Sequence, residues 1–398
     1  MKPIWHYRPE QNWINDPNGL VHYQGWYHMF YQYNPHGDQW GDIHWGHARS
    51  RDLLNWETLP PALAPAVDQG EIHCFSGGCC KDEQSKPHFF YTSVGRKEDQ
   101  RDCTHGAQQW YAEATDDSLT TLVQTDENAL LDSIHPGFHV KDWRDPCVLR
   151  YQGQYLMVLG GSVEERGCVL LYTSPDMRHW TYRHILAISD KADDIPWECP
   201  NLFQVDGKFG LIYSPCTQVR VKTGTLDADL RFIEERDEVL EPERNGYYAP
   251  QVFTDEQGRV IVIGWMPEGD NVPHKGWSGV MSLPRLVRIT EDGLCAYPIS
   301  GTEKLPGVQQ LSVRREALPC TWVLHDNGEE RTTLTLTAEG VLTMDRSAST
   351  LAEGTDKHPI TRNVPVKAVN DVFIAVDKSA VETMVNGKWL SGRIYPTK

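Results

Sequence analysis

The feature that most limits what this chain can become is a layout that recurs along it: a Pro near the start of a short apolar run, a turn containing Gly, and a second apolar run. It reads "DPNGLVHYQGWYHMFYQ" from Asp16, "DPCVLRYQGQYLMVLGG" from Asp145, "CPNLFQVDGKFGLIYSP" from Cys199 and "APQVFTDEQGRVIVIGW" from Ala249. A further unit, "FSGGCCKDEQSKPHFFYTSVG" from Phe75, has the strands and the turn without the opening Pro. A second marker follows later in several units, as "SRDLLNW" at Ser50, "TDDSLTT" at Thr115 and "SPDMRHW" at Ser174. Period-2 apolar alternation such as Tyr27-Met29-Tyr31, bounded by Gly, Asp and Pro, predicts strands, and no long stretch carries a helical stripe. Repeats of roughly 40 to 50 residues or somewhat more, with four strands each, are the sequence mark of a β-propeller. The chain is therefore expected to be all-β, with five blades in residues 1–300.

Near residue 300 the texture changes. Of 14 tryptophans only Trp322 and Trp389 follow that point, and "YPISGTEKLPGV" has linker composition. Beyond it, alternating runs such as "RTTLTLTAEGVLTM" and the Asn386-Gly387 hairpin signal predict a short antiparallel β-sandwich over 308–398.

Equivalent points of successive blades surround one axis, so the residues that open the units face a shared cavity. This sets Asp16, Asp145 and Glu198 around one pocket. Asp-Pro-Asn-Gly suits a type I turn by itself. The amides and rings of Trp13, Asn15, Asn18 and Trp26 add donors that would hold Asp16 ionised, as a nucleophile requires. Glu198, between Trp197 and Cys199, is expected to be partly desolvated and pushed up toward the range of a general acid. Asp145, following Arg144, reads either as half of a surface ion pair or as an acceptor for sugar hydroxyls. A pair of carboxyls displaced in opposite directions is the acid and nucleophile pattern of glycoside hydrolysis. Rings for stacking a sugar come from Trp40, Trp45, Phe75, Trp110, Trp143 and Trp265, most of which are expected to fill the core.

Composition narrows the partners. With 38 Lys+Arg against 55 Asp+Glu the formal charge is −17, and no basic run could track a phosphate backbone. Nucleic acid and anionic membrane are excluded as expected partners, and no segment is apolar for the length of a membrane span. Adjacent Cys79 and Cys80, other cysteines inside strand-like runs, and the lack of a signal-peptide pattern or glycosylation sequon are read as reduced thiols in a cytoplasmic protein. There is no GxSxG, Walker A, GxGxxG, CxxC or HExxH motif, and the histidines are scattered, so neither cofactor nor metal is expected.

With these residues in place, the chain resembles glycoside hydrolase family 32, the β-fructofuranosidases that include invertases, levanases, inulinases and sucrose-6-phosphate hydrolases. The resemblance is carried in order by "WINDPNGL" (13–20), "FYQYNP" (30–35), "WGHA" (45–48), "FSGG" (75–78), "RDP" (144–146), "ECP" (198–200), "YYAPQ" (247–251), "GWM" (264–266) and "GWSGVMSLPR" (276–285), with "VDKSAVETMVNG" (376–387) in the tail. It implies a five-bladed propeller with a β-sandwich and a retaining mechanism. Asp16 would be the nucleophile, Glu198 the acid/base and Asp145 the transition-state stabiliser. Asn15, Gln32, Trp40, Ser76 and Arg144 match positions lining the fructose subsite, and Phe75, Cys199, Tyr248 and Trp265 complete the candidate substrate-binding set. Sucrose or small fructo-oligosaccharides are the implied substrates. Fructosyl transfer, hydrolysis of sucrose 6-phosphate and non-catalytic fructan binding stand as alternatives. Two residues depart from the family pattern: Asn201 where Asp is usual, and Gly246, near the leaving-group sugar, where many bacterial members have Asp.

Overall fold

The computed structural model describes residues 1–96, 107–124, 129–131, 139–269, 272 and 276–397. Among these residues the regular structure is β, apart from three short 3-10 turns at Val67–Gln69, Thr302–Lys304 and Arg315–Ala317. No helix is long and apolar enough to cross a membrane.

Among the described residues the strands form seven sheets, five in succession along the chain and a last two that are interleaved, the seventh inserted between the first and second strands of the sixth. The first five begin with the strands Asn12–Tyr23, His73–Lys81, Lys141–Tyr151, Glu198–Val205 and Tyr248–Thr254, and each continues outward through antiparallel neighbours. These five inner strands touch in cyclic order, with Tyr248–Thr254 returning to lie beside Asn12–Tyr23. The ring is tied shut by Trp277–Ser278, which pairs parallel to Asn12 and Trp13. Apolar residues of adjacent sheets interlock between them, as where Phe30 and Trp45 of the first meet Phe89 and Tyr91 of the second. The sixth and seventh sheets share one core, in which Leu334, Leu342 and Met344 pack against Val372, Ile374 and Leu390. The Asn386-Gly387 hairpin forms as expected, with φ of 51° and 82° and Val385 opposite Lys388.

The later marker is a turn between outer strands. Asp52 and Asp176 each accept two backbone N–H bonds within it, and Leu53 and Met177 take positive φ. Leu119 and Leu230 repeat the left-handed step in the second and fourth sheets, the latter within "DADL", which the sequence reading passed over.

One expectation is corrected here. Asp16 does not sit in a type I turn: residues 12–23 form one continuous strand, in which Asn15 and Asp16 lie between the pairs Ile14↔Tyr33 and Pro17↔Tyr31. Two residues therefore oppose one, which is a β-bulge. The same shift recurs at Phe75-Ser76, Asp145-Pro146, Cys199-Pro200 and Ala249-Pro250 in the other inner strands. The repeated Pro thus has a physical reason. Pro146, Pro200 and Pro250 stand at the second position of their bulges, where the missing N–H removes no ladder bond, whereas Pro17 pairs with Tyr31 just after its bulge.

Candidate active site

The bulges aim side chains at the axis in tiers. Arg144, Glu198 and Tyr248 are each the last paired residue before the bulge in three successive sheets. They touch: Arg144 Nη2 donates to Glu198 Oε1 at 2.6 Å, and the Tyr248 hydroxyl donates to Glu198 Oε2 at 2.5 Å. Asp145, Cys199 and Ala249 are the first bulge residues of the same sheets, with φ of 66°, 47° and 44°, a region strained for residues with a Cβ. Cys199 donates its backbone N–H to Asp145 Oδ2 at 2.8 Å, and its thiol lies 3.5 Å from the same oxygen. Asp16 and Ser76 are second bulge residues, and Ser76 Oγ donates to Asp16 Oδ2 at 2.7 Å. The Cys199 thiol also reaches Asp16 Oδ2 at 3.3 Å, joining the two tiers.

All of these side chains except Ala249 line a cavity of about 410 Å³. All twelve residues nominated from the sequence, Asn15, Asp16, Gln32, Trp40, Phe75, Ser76, Arg144, Asp145, Glu198, Cys199, Tyr248 and Trp265, are in its wall. Trp40 is 53% exposed at the rim, against Phe75 and His73, whereas Trp45, Trp110 and Trp143 are core residues. The buried indole N–H of Trp265 has no protein partner. Two wall residues escaped the nomination, Trp13 and Arg244. Trp13 Nε1 donates to Asn15 Oδ1 at 2.8 Å, and Asn15 in turn donates to Asp16 Oδ1 at 3.1 Å. Arg244 was readable only as a lone cation in the "PERNG" turn before the last inner strand.

The titration expectation is reversed for both carboxyls. Burial raises Asp16, against the bonds from Ser76 and Asn15 that lower it. Burial also pushes Glu198 up, but the Arg144 charge and the bonds from Tyr248 and Arg144 outweigh it, and the net shift is downward. Asp145 is pushed up to about 7 by burial, with Glu198 and Asp16 adding repulsion and Arg144 only partly offsetting them. The physical reason is position. The single paired guanidinium reaches Glu198 at 2.6 Å but Asp145 only at 3.8 Å, and Asp16 makes no ion pair among the described residues.

Neither departure from the family pattern enters the cavity wall. Asn201 is a brace between sheets, donating to the carbonyls of Cys199 and Pro250 at 3.0 Å each while accepting from Val252 N at 2.9 Å. Gly246 lies against the sixth sheet, where a Cβ would come within 2.2 Å of the Ser391 carbonyl. Among the described residues no cluster of three His, Cys, Asp or Glu could hold a metal ion.

Residues 6–298 match the family model for the glycosyl hydrolases family 32 N-terminal domain. The chain belongs to glycosyl hydrolase family 32. Among family relatives, the cell wall isozyme of β-fructofuranosidase from Zea mays is 33% identical across 76% of this chain and 56% of its own length. Sucrose-6-phosphate hydrolase from Escherichia coli is 29% identical across 99% of this chain and 89% of its own. The chain thus spans little more than half of the plant enzyme but most of the bacterial one. A crystal structure of fructan 1-exohydrolase IIa from Cichorium intybus in complex with 1-kestose superposes with a TM-score of 0.85, covering 100% of this chain and 92% of that one at 24% identity. The Bombyx mori family 32 β-fructofuranosidase, in complex with sucrose, superposes at 0.81 and 25% identity, covering 99% of this chain and 89% of that one.

Proposed function

We propose that this family 32 chain releases terminal β-fructofuranosyl units from sucrose or small fructo-oligosaccharides with retention of configuration. Its frame is read as a five-bladed β-propeller over residues 1–300 and a short β-sandwich over 308–398. The closed ring of inner strands and the shared core of the last two sheets support this reading. The single observation that carries the function is the meeting of Asp16, Asp145 and Glu198, from three separate inner strands, in one cavity of sugar size.

In this reading Asp16 attacks the anomeric carbon while Glu198 protonates the leaving oxygen. Glu198 then deprotonates the water that frees fructose, at the roughly 5 to 5.5 Å carboxyl separation of retaining enzymes. Asp145 accepts bonds from the fructosyl hydroxyls. A fructosyl hydroxyl that draws Arg144 off Glu198 removes the charge that holds Glu198 low, while hydroxyl donors to Asp16 lower that carboxyl.

Sucrose and 1-kestose assays with anomeric analysis of the fructose first released test this. Release of β-fructofuranose, lost by at least about 1000-fold in Asp16→Asn with the fold intact, is the expected result. Release of the α-anomer, or an active Asp16→Asn enzyme, overturns it.

A further inference from the structure

Asp145 is held in a backbone conformation that an aspartate rarely adopts. Its φ of 66° lies in the left-handed region, and it stands in a bulge between the pairs Arg144↔Gly160 and Cys147↔Val158, so its N–H has no place in the ladder. The second sheet takes that N–H instead. Thr92 Oγ1 accepts it at 2.9 Å and donates to Gln109 Oε1 at 2.8 Å, while Gln109 Nε2 donates to the Trp143 carbonyl at 3.1 Å. Thr92 and Gln109 stand opposite each other on the strands Pro87–Val94 and Gln108–Ala114, and both are fully buried. The pair therefore grips the third inner strand at Trp143 and Asp145, on either side of Arg144, the residue that reaches Glu198.

Gln32 holds the equivalent place in the first sheet, because Tyr33 and Ser93 are the residues that pair just before the bulges of their inner strands. Gln32 donates to the Cys74 carbonyl at 3.0 Å, and its cross-strand neighbour Trp45 donates to the Phe75 carbonyl at 3.1 Å. Both sheets thus bind the next inner strand at its bulge with two hydrogen bonds. In the third, fourth and fifth sheets the equivalent place holds Leu159, Tyr213 and Gly264. Thr92 differs from Gln32 in what it holds: the N–H of a cavity carboxylate rather than a carbonyl. A buried polar pair is costly unless its groups are bonded, and here the hydroxyl serves as donor and acceptor and the amide is used through both its oxygen and its nitrogen.

Loss of the Thr92 hydroxyl leaves the Asp145 N–H and Gln109 Oε1 without these partners in a buried place, which penalises the observed bulge. Rotation of the bulge to find another acceptor carries the Asp145 carboxylate away from Cys199 N, which it meets at 2.8 Å, and Arg144 away from Glu198. A displacement of about 1 Å is enough to cost a group in a reacting site on the order of 100-fold.

Resting on the fructosidase reading, we propose that Thr92, braced by Gln109, is a positioning residue that fixes Asp145 against the fructosyl ring. The test measures kcat and KM on sucrose and 1-kestose for the full chain, Thr92→Val, Thr92→Ser and Gln109→Met, with thermal melts to show which variants are folded. Thr92→Val keeps the shape and removes the hydroxyl. It is expected to lose about 10- to 100-fold in kcat while KM changes by less than about threefold, because the shift weakens a contact that matters most in the transition state. The factor is expected to be the same on both sugars, since they share the fructosyl ring and differ in the leaving group. Thr92→Ser keeps the hydroxyl and is expected to stay within about threefold of the unchanged chain. Gln109→Met removes the brace and is expected to lose about 10-fold in kcat; if Thr92→Val does not fold, this variant decides by the same criteria. A folded Thr92→Val that melts lower with kcat unchanged gives the pair a structural role only and overturns the proposal. So do unequal losses on the two sugars, a Thr92→Ser enzyme as poor as Thr92→Val, or failure of both Thr92→Val and Gln109→Met to fold. Each of these leaves the fructosidase reading standing. If the unchanged chain cleaves neither sugar, that reading falls and the proposal with it.

Discussion

Arg144 and Glu198 occupy the same ladder position of two adjacent sheets, and their side chains meet through a 2.6 Å bond from Nη2 to Oε1. Residues 54 positions apart in sequence are brought together because each is the last paired residue before a bulge that turns the strand toward the axis. That contact is also the reason Glu198 lies below the ordinary carboxyl range although burial pushes it up.

Removing the guanidinium is expected to raise Glu198. In Arg144→Gln the limb of the kcat/KM profile that reports Glu198 moves to higher pH, because Glu198 has lost the charge that does most to lower it. The pH-independent value falls on the order of 100-fold, since the hydrogen bond that orients Glu198 is lost as well. A pH–rate series on sucrose for the variant and its parent checks both.

Asp145 is expected to make the protein less stable as the solution becomes more alkaline. Its folded pKa of about 7 lies above the ordinary aspartate value of 3.8. The linked stability is therefore fully present below that lower value and is lost as pH rises through about 7. Asp145→Asn should melt higher than its parent at pH 8, by a few kcal/mol at the order-of-magnitude level, with the two converging near pH 4. Thermal melts across that range measure the difference.

The N-terminal segment is fastened by a buried charge cluster. His6 Nδ1 and Nε2 lie 3.1 and 2.9 Å from Asp377 and Glu382, and Glu382 also accepts from Arg285 Nη2 at 2.5 Å and Leu283 N at 2.6 Å. Burial lowers His6, but the two carboxylates outweigh it and its net shift is upward. Its contribution is thus fully present below about 6.5, the unfolded value, and fades as pH rises through the folded one. His6→Gln should cost most stability at pH 6 and progressively less toward pH 9. Glu382→Gln leaves buried cations short of a partner and should cost about 3 to 5 kcal/mol by denaturant titration.

Gly246→Ala tests the contact between the Arg244 turn and the sixth sheet. A Cβ 2.2 Å from a backbone carbonyl cannot be relieved by a side-chain rotation, so the turn or the sheet must shift. A loss of about 1 to 3 kcal/mol in denaturant titration is expected, with a rise in KM on any substrate that reaches Arg244.

What the sequence determined by itself was whatever depends on local pattern. Alternation of apolar residues with Gly and Pro punctuation marked the strands, and Asn386-Gly387 marked its hairpin, because these follow from backbone sterics over a few residues. The recurrence of Pro at unit starts placed Asp16, Asp145 and Glu198 near the openings of three units, and the family resemblance nominated most of the remaining cavity wall, but the three carboxylates hold different positions at their bulges. Tertiary structure decided the rest. "NDPNG" has the residues of a type I turn, and only pairing with Trp26–Asn34 makes it a bulged strand. The direction of each carboxyl shift depended on which one the Arg144 guanidinium reaches at 2.6 Å and which at 3.8 Å, a matter of ångströms between neighbouring sheets that no spacing along the chain records. Thr92 acquired meaning for the same reason. Coulombic and hydrogen-bond energies are set by distances through space, and those are fixed only when the ring of strands closes.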